Sequence, residues 1–314
     1  MRAHGWRRGL RACAPAVAIA ALLGVAGQAQ AQAPLRCNGG VSLCDRPLNR
    51  VVIPATHNSM SAASEGFALP NQPLGIAAQL KAGVRGFLID VHYGHKRADG
   101  VVVTDSVKTA DSGVYLCHEF CELGATPLAQ GLRQMRKRLD RARGDVLVLD
   151  VEDYVSTADL AASFRRSGLN QYVYRGAPGP TWPTLRQMIA CHQQVVVLTE
   201  HRADGVPWIH LDYAGIVQET PYTWATPSLL TDPANQAASC VPNRGGTTGS
   251  LLLVNHWVDT SPAPRKTIAR AVNARAVLGA RLERCRQERK LLPNIVAVDF
   301  YRDGDVFPLV EELR

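Results

Sequence analysis

Eight short runs rich in Val, Ile and Leu recur along the chain, and almost every run ends in a polar or ionisable residue. The runs are VVIPATHN (51–58), GFLIDVH (86–92), VYLCHE (114–119), VLVLDVED (146–153), VVVLTEH (195–201), GIVQET (215–220), LLLVNHW (251–257) and IVAVDFY (295–301). Continuous apolar runs without alternation are typical of parallel strands that are buried on both faces. Eight such strands, with helical patterns between them, predict an α/β fold with one (β/α)8 barrel of the TIM type.

In a barrel of this type the active site forms at the face where the strands end. The ends of the eight runs carry imidazole, carboxyl and amide side chains: His57, Asn58, Asp90, His92, His118, Glu152, Glu200, Asn255, His256 and Asp299. Convergence on one pocket explains so many polar strand ends better than chance placement does. We therefore take these residues as the candidate site.

The connections between the runs fit the same architecture. Helical patterns lie at 74–82, 127–142, 158–167, 182–191 and 264–289. The segment 94–113 predicts a hairpin or loop insertion after the second strand. The segment 221–250, rich in Pro, Thr, Asn and Gly, predicts a long loop on the active face, acting either as a lid or as a surface excursion.

The first 31 residues have the layout of a secretory signal peptide. Four arginines precede an apolar stretch over 12–26, and Ala29-Gln30-Ala31 supplies a small-residue cleavage site. Cleavage after Ala31 leaves residues 32–314 as one barrel domain of a secreted or periplasmic protein. It also lowers the formal charge from +8 to about +4, because four arginines and no acid are lost. That mild excess does not call for nucleic acid, but it suits contact with anionic phospholipid.

Export permits disulfides among the cysteines that follow the signal peptide. The preferred pairs are Cys37–Cys44, Cys117–Cys121 and Cys240–Cys285, although sequence alone leaves the connectivity open. Cys191, in a helical pattern before a strand, is interpreted as a buried thiol that packs as a small apolar group. Zinc at Cys117 and His118 is a weaker alternative, because no second pair of ligands lies at a recognised spacing.

Two histidines, His57 and His118, end the first and third runs and can face each other across the barrel mouth. Such a pair can take a proton from one oxygen and give a proton to another, as phosphodiester cleavage requires. The alternative is a structural role, which is commoner for a histidine that stands alone. The polar neighbours of both residues favour catalysis.

Asn58, Asp90 and Glu152 form a second candidate group. Two carboxylates and an amide oxygen make a hard, oxygen-rich site that suits Ca²⁺ or Mg²⁺. A divalent ion there would neutralise charge on a phosphate and lower the pKa of a coordinated hydroxyl. The alternative is a hydrogen-bonded polar network without a metal.

Four motifs in this order, PATHNSM, QLKAGVRGFLIDVH, LCHE and VLVLDVED, resemble the catalytic X region of phosphatidylinositol-specific phospholipases C. With the later NHW and VAVDFY segments, the chain resembles more narrowly the exported phospholipase C-like phosphodiesterases, over nearly all of residues 40–305. The resemblance implies a TIM-type barrel that cleaves a phospholipid or glycerophosphodiester by two-histidine acid–base catalysis. We expect a monomer that contacts the membrane surface transiently.

Carried over residue by residue, the resemblance implies specific roles. His57 would activate the inositol 2-hydroxyl as a base, and His118 would protonate the diacylglycerol oxygen as an acid. Asp299 lies at the last strand, where a carboxylate could orient a catalytic histidine. Calcium-dependent members place metal ligands at the positions of Asn58, Asp90 and Glu152.

His92 departs from the family pattern. Metal-dependent members have an acid-x-acid arrangement at this place, and metal-independent bacterial members have an arginine two residues after the aspartate. Histidine is a poor calcium ligand, but it can act as a cation against phosphate. The cofactor is therefore expected to be Ca²⁺, with Mg²⁺ or no metal as open alternatives. The candidate substrate-binding residues are His92, Glu200, Asn255 and His256.

Other interpretations remain open at this point. Tyr222, Trp224 and Trp257 either form an apolar lip that meets lipid or pack in the core. Barrels of the glycerophosphodiester phosphodiesterase or sphingomyelinase D type are the alternative enzymes, and the Thr-His-Asn start favours the phospholipase C type. A catalytically inactive barrel that binds lipid or glycan is the alternative from another class, against which the presence of both His57 and His118 counts.

Overall fold

The structure is a computed structural model that describes residues 33–314. The predicted signal peptide, residues 1–31, lies outside the described residues. Among the helices of the described part, none is long and apolar enough to cross a membrane.

Eleven strands and nine α-helices follow one another in this part of the chain. The strands are β1 (Ile53–Thr56), β2 (Gly86–Lys96), β3 (Val102–Asp105), β4 (Gly113–Leu116), β5 (Thr126–Pro127), β6 (Leu147–Asp153), β7 (Val195–Thr199), β8 (Ile209–Leu211), β9 (Val217–Glu219), β10 (Leu251–His256) and β11 (Ile295–Val298). The helices are α1 (Ile76–Ala82), α2 (Leu128–Arg141), α3 (Thr157–Ser167), α4 (Leu185–Ala190), α5 (Ser228–Thr231), α6 (Pro233–Gln236), α7 (Lys266–Val272), α8 (Arg275–Arg289) and α9 (Val306–Glu312).

Eight of the strands form a curled parallel sheet in the order β8-β7-β6-β2-β1-β11-β10-β9. Helices cover its outer side, so the predicted single-domain α/β barrel of the TIM type is confirmed. β8 and β9 lie at the two ends of the strand order, and residues 33–314 contain no ladder that joins them. The contact region between these two end strands is called the seam below.

The strand assignment differs from the prediction in one place. The third predicted run, 114–119, contains β4, which pairs antiparallel with β2 and belongs to an insertion with β3. The eighth parallel strand is instead β8, whose three residues, Ile-His-Leu, lack the apolar run that marks the others. Because β4 runs opposite to β2, it returns toward the mouth, with Leu116 paired to Val91. His118 therefore still reaches the end of the barrel where the parallel strands finish.

Side chains alternate along each parallel strand between the barrel interior and the helical layer. The interior is filled by small and branched residues, including Ile53, Ala55, Val148, Val196, Leu198, Leu253 and Ala297. The outward residues pack against the helices in a second core that includes Leu80, Phe87, Leu132, Leu149, Phe164, Val197 and Val254. Burying a side chain of this kind contributes about 1.5–3 kcal/mol to folding. The cavities that bear on the site lie at the mouth, above this packed interior.

Two further predictions have clear outcomes. All three predicted disulfides are present: Cys37–Cys44, Cys117–Cys121 and Cys240–Cys285. Cys191 caps α4 and is partly exposed, so it is not the buried thiol that was expected. The helical pattern over 264–289 is two helices, α7 and α8, which meet at Asn273 and Ala274.

We expect the Cys240–Cys285 bond to stabilise the fold more than the Cys37–Cys44 bond. It spans 45 residues against 7, and the longer loop removes more entropy from the unfolded chain, giving about 4 against about 2 kcal/mol. Replacing both cysteines of each pair by serine and measuring urea unfolding tests this order. A larger loss from the Cys37–Cys44 pair would contradict it.

Candidate active site

The His57 imidazole is held from one side by a carboxylate. His57 follows β1, and its Nδ1 lies 3.0 Å from Oδ1 of Asp299, which follows β11. The Asn71 amide donates to both oxygens of Asp299, at 3.2 and 3.4 Å, and Asp299 is only 4% exposed. A carboxylate so placed favours the proton on Nδ1, so that Nε2 is the atom available toward the mouth.

A second contact sets the plane of the same ring. The Trp257 indole stacks on the His57 imidazole, with ring centroids 3.7 Å apart and planes 7° from parallel. Tyr222 lies on the other side of Trp257, with centroids 6.4 Å apart. His57 is therefore oriented by a hydrogen bond at one edge and by an aromatic face.

Asn58 joins the two histidines to Asp90. One atom of its amide group lies 3.2 and 3.3 Å from the Asp90 oxygens, and the other lies 3.1 Å from Nε2 of both His57 and His118. With nitrogen toward Asp90, the amide donates to the carboxylate and its oxygen accepts from protonated histidines. With oxygen toward Asp90, the contact requires a proton or a cation between them, and the nitrogen donates to an unprotonated His57. Both arrangements place the two histidines at one point of the mouth.

Burial makes the other two predicted imidazoles of the mouth weaker bases. Burial, and then the nearby His57, lower the pKa of His118. Burial lowers the pKa of His92. The His92 ring stacks on Tyr154 at 4.3 Å, and its Nε2 finds no hydrogen-bond partner within residues 33–314. His92 is thus poorly suited to carry a permanent positive charge.

Several carboxylates lie close to one another in the interior of the mouth. Burial, followed by the charge of Glu152, raises the pKa of Asp90 well above its usual range. Burial and the neighbouring Asp150 raise the pKa of Glu200 to about 8, and burial raises the pKa of Asp150 to about 6. These groups ionise together only if protons or cations offset their repulsion.

Arg244 supplies positive charge from the long 221–250 segment. Its Nε donates to Glu219 at 2.6 Å, and an Nη donates to Glu200. Its guanidinium also lies over the Tyr213 and Tyr222 rings, 4.3 and 5.0 Å from their centroids. The segment predicted as a loop of the active face therefore contributes a side chain to the site.

Two cavities meet at the catalytic candidates, and His57, Tyr222 and Trp257 line both. The first, of about 150 Å³, is polar and enters the barrel between Asp90, Asp150, Glu152, Glu200, Glu219, Arg244 and Asn255. The second, of about 510 Å³, reaches His118 and Asp299. Its apolar wall includes Phe67, Leu69, Leu123, Val258 and Pro262. A bound molecule with a polar part and an apolar part can span the two with His57 between them.

Most of the predicted site residues come together, but His256 does not. It is fully buried toward the helical layer, where Nε2 lies 2.9 Å from the Val272 carbonyl oxygen and Nδ1 lies 3.0 Å from Arg281. Burial and that guanidinium lower its pKa to about 3. Neighbouring residues of a strand point to opposite faces, so Asn255 and His256 could not both line the interior.

The structure adds several residues to the predicted site. Asp150 and Glu219 lie on strands that the sequence predicts, and the alternation of side chains along those strands is a signal that they face the barrel interior. Arg244 and Asn71 lie in loops, where no periodic signal exists. Of the aromatic side chains, Tyr222 and Trp257 line the cavities, and Trp224 packs in a separate apolar cluster.

The predicted ligands Asn58, Asp90 and Glu152 fit a hard cation in part. The Asn58 atom that faces Asp90 is close enough for two oxygens to share one ion. Glu152 also lines the same cavity, although one of its oxygens accepts from the Tyr154 hydroxyl.

A curled sheet of parallel strands with a polar mouth at the strand ends defines the class of α/β barrels that bind ligands at this face. The chain belongs to the PI-PLC X family, since a sequence model described as PI-PLC X 1 matches residues 43–314. This confirms the family that the sequence motifs indicated.

Two relatives come from Arthroderma benhamiae. An "Uncharacterized secreted protein" is 25% identical over 291 residues, which cover 86% of this chain and only 61% of that protein. The chain therefore spans less than two thirds of this relative. A "PI-PLC X domain-containing protein 1" is 27% identical over 289 residues, covering 87% of each.

Solved structures share the fold at low identity. The phosphatidylinositol-specific phospholipase C from Listeria monocytogenes aligns with a TM-score of 0.54 and 15% identity, over 86% of this chain and 95% of that one. A variant of the Staphylococcus aureus enzyme aligns with a TM-score of 0.52 and 13% identity, over 86% and 95%. At such identities the likeness concerns the fold alone.

We expect His118 to titrate below 6.5, the ordinary value, because burial and His57 both lower its pKa. Histidine NMR titration in the presence of chelator measures this. In His57→Ala the pKa of His118 should rise, but only in part, since burial is the larger cause. His192→Asn, beyond α4 at the opposite end of the barrel, is the control that should leave it unchanged. A midpoint above 6.5 that is insensitive to His57 would contradict this account of the site.

Proposed function

We propose that this protein is an exported phosphodiesterase of the phospholipase C type. It cleaves the head-group phosphodiester of phosphatidylinositol or a related phospholipid by two-histidine acid–base catalysis. The observation that carries the proposal is the position of His57 and His118, whose Nε2 atoms both lie 3.1 Å from one atom of Asn58. Such cleavage requires two proton carriers close to the bound phosphate, one to take the proton of the attacking hydroxyl and one to protonate the leaving oxygen.

His57 acts as the base in the first step. The Asp299 carboxylate keeps the proton on Nδ1, so Nε2 accepts the proton of a substrate hydroxyl next to the phosphate. The hydroxyl oxygen forms a bond to phosphorus, and the bond from phosphorus to the glycerol oxygen breaks. His118 gives its proton to that leaving oxygen. A cyclic phosphodiester results, and water opens it with the two histidines in exchanged roles.

Each of the two cavities accommodates a different part of the substrate. The polar cavity accepts the head group, with Glu200 and Asn255 in position to bind hydroxyl groups. The larger groove accepts the glycerol and acyl side along its apolar wall. Phe120 and Leu123, 55% and 37% exposed next to His118, add apolar surface for transient contact with a membrane.

A divalent cation, Ca²⁺ in the first instance, is proposed at Asn58, Asp90 and Glu152. When bound, it would neutralise phosphate charge and lower the pKa of the attacking hydroxyl. Burial and the neighbouring Glu152 raise the pKa of Asp90, so a positive charge beside it would be favourable. His92 is the weaker source of that charge, because burial lowers its pKa.

We expect His57→Ala and His118→Ala each to lower turnover by about 10²–10⁴-fold, because each removes a proton carrier. Phosphorus NMR with a panel of phospholipids measures both turnover and product. With the native protein the first product should be the cyclic phosphodiester, since an oriented neighbouring hydroxyl attacks faster than water.

His192→Asn is the matched control for these variants, and circular dichroism checks that all of them fold. Near-native activity in either alanine variant would exclude the two-histidine mechanism. A linear phosphomonoester or a free head group at the earliest times would indicate glycerophosphodiesterase or sphingomyelinase D-type chemistry instead. Binding without turnover across the panel would indicate an inactive lipid-binding barrel.

Chelation should suppress activity, and added Ca²⁺ should restore it. Asp90→Asn should raise the Ca²⁺ concentration for half-maximal activity by about 100-fold or more, because it removes an anionic ligand. Activity assays over a Ca²⁺ titration measure both effects.

The competing source of charge gives a different pattern. If His92 supplies the positive charge, activity survives chelator, declines above the pKa of His92 and is partly retained in His92→Arg, whose charge persists at high pH. Full activity in excess chelator, with no metal in the purified protein, would exclude the cation at Asp90.

A further inference from the structure

Three carboxylates meet beside the predicted site, at the ends of three neighbouring strands. Asp150 lies on β6, Glu200 directly follows β7, and Asp212 directly follows β8. One oxygen of each lies within 4.8 Å of the others. Oxygens this close together can approach a single cation, with small adjustments of the side chains toward the roughly 2.3–2.6 Å that Ca²⁺ ligands require.

Buried oxygens at this place lack hydrogen-bond donors. Asp150 and Asp212 are 5% and 1% exposed, and within residues 33–314 Oδ1 of Asp150 and Oδ2 of Asp212 have no partner. Asn255 lines the same polar cavity as Asp150 and Glu200. Its side-chain nitrogen donates to Glu219 and to the Thr220 carbonyl oxygen, but its buried Oδ1 has no hydrogen-bond partner among the described residues. Buried acceptors without donors are costly, and a cation satisfies several at once.

Over residues 33–314 the Lys and Arg side chains do not donate to these unpartnered carboxylate oxygens. Arg244 donates to Glu200 and Glu219, but in the described part of the chain no Lys or Arg is hydrogen-bonded to Asp150 or Asp212. The remaining negative charge therefore requires a partner from solution.

Asp212 also lies where the chain crosses the seam. Its backbone N–H donates to Thr199 of β7, at 3.1 Å. Its backbone carbonyl oxygen accepts from Ile216 and from Val217 of β9, at 3.2 and 2.9 Å. Asp212, directly after the end strand β8, is thus hydrogen-bonded both to the adjacent strand β7 and to β9 at the other end of the sheet order.

We propose that Asp150, Glu200 and Asp212 bind a divalent cation, with Ca²⁺ chemistry, that fixes one side of the seam of the barrel. The ion links the carboxyl ends of β6, β7 and β8 and thereby holds β8, the end strand, in place. It is distinct from the catalytic cation proposed at Asp90, and its role is stability of the fold. The competing occupant is a proton shared between Asp150 and Asp212.

The test measures thermal unfolding of the full protein, after EDTA treatment and dialysis, over a Ca²⁺ titration. Asp212→Asn removes one ligand charge at nearly constant shape, and Asp150→Asn is a second variant should the first fail to fold. Asp204→Asn, an exposed acid in the connection between β7 and β8, is the matched control. Asp90→Asn separates this site from the catalytic one. Elemental analysis of the purified protein counts bound metal.

For the native protein we expect Tm to rise by at least about 5 °C when free Ca²⁺ exceeds Kd 100-fold. The rise should persist in Asp204→Asn and, in part, in Asp90→Asn, where the catalytic cation no longer contributes to it. Adding Asp212→Asn or Asp150→Asn to the Asp90→Asn variant should abolish what remains. No rise in the native protein, with no bound metal, overturns the proposal in favour of the shared proton. A rise that disappears entirely in Asp90→Asn, or that is equally large in Asp90→Asn with and without Asp212→Asn, also overturns it.

Discussion

Side chains alternate between the interior and the helical layer along every parallel strand, and this period of two governs which residues of the barrel can meet. Asp150 and Glu152 share the interior face of β6, one above the other. Asn255 lines the cavity, and its neighbour His256 bonds to the helical layer. Since all eight strands run in one direction, their interior side chains collect at a single mouth.

The mouth therefore concentrates acidic groups in a place that excludes most water. Asp90, Asp150 and Glu200 all have a raised pKa, and burial is the largest cause in each. Arg244 offsets part of this charge from a loop. The rest is available for ligands that carry positive charge or donate hydrogen bonds, such as metal ions and hydroxyl groups. The same electrostatic excess underlies both the proposed catalytic cation and the proposed cation at the seam.

The two histidines that we propose as proton carriers lie at the border between the polar cavity and the apolar groove. His57 is oriented by Asp299 and by the face of Trp257. His118 arrives from an inserted antiparallel strand, beside the Cys117–Cys121 disulfide. The proposed acid and the proposed base thus come from different parts of the structure. The insertion carrying His118 can vary without changing the barrel ladder that holds His57.

The sequence by itself determined the fold class, because repeated short apolar runs with polar ends can be recognised without tertiary contacts. It also indicated most of the candidate site in the interior, since His57, Asp90, Glu152, Glu200 and Asp299 all lie at strand ends. The sequence did not predict the direction in which strands pair. The apolar run that contains β4 has the pattern of a parallel strand, and only its antiparallel pairing with β2 shows otherwise. Nor did the sequence predict β8, which is too short to carry a pattern.

Only the tertiary structure decided which side chains touch across distant parts of the chain. Arg244 reaches Glu200 and Glu219 from a loop, and Asn71 reaches Asp299 across 228 residues. Asp212 joins Asp150 and Glu200 only because the sheet curls. Local periodicity reports the face on which a residue lies, whereas loop-borne contacts depend on where the folded backbone brings the loop. That placement arises from packing of the whole barrel and leaves no short-range trace in the sequence.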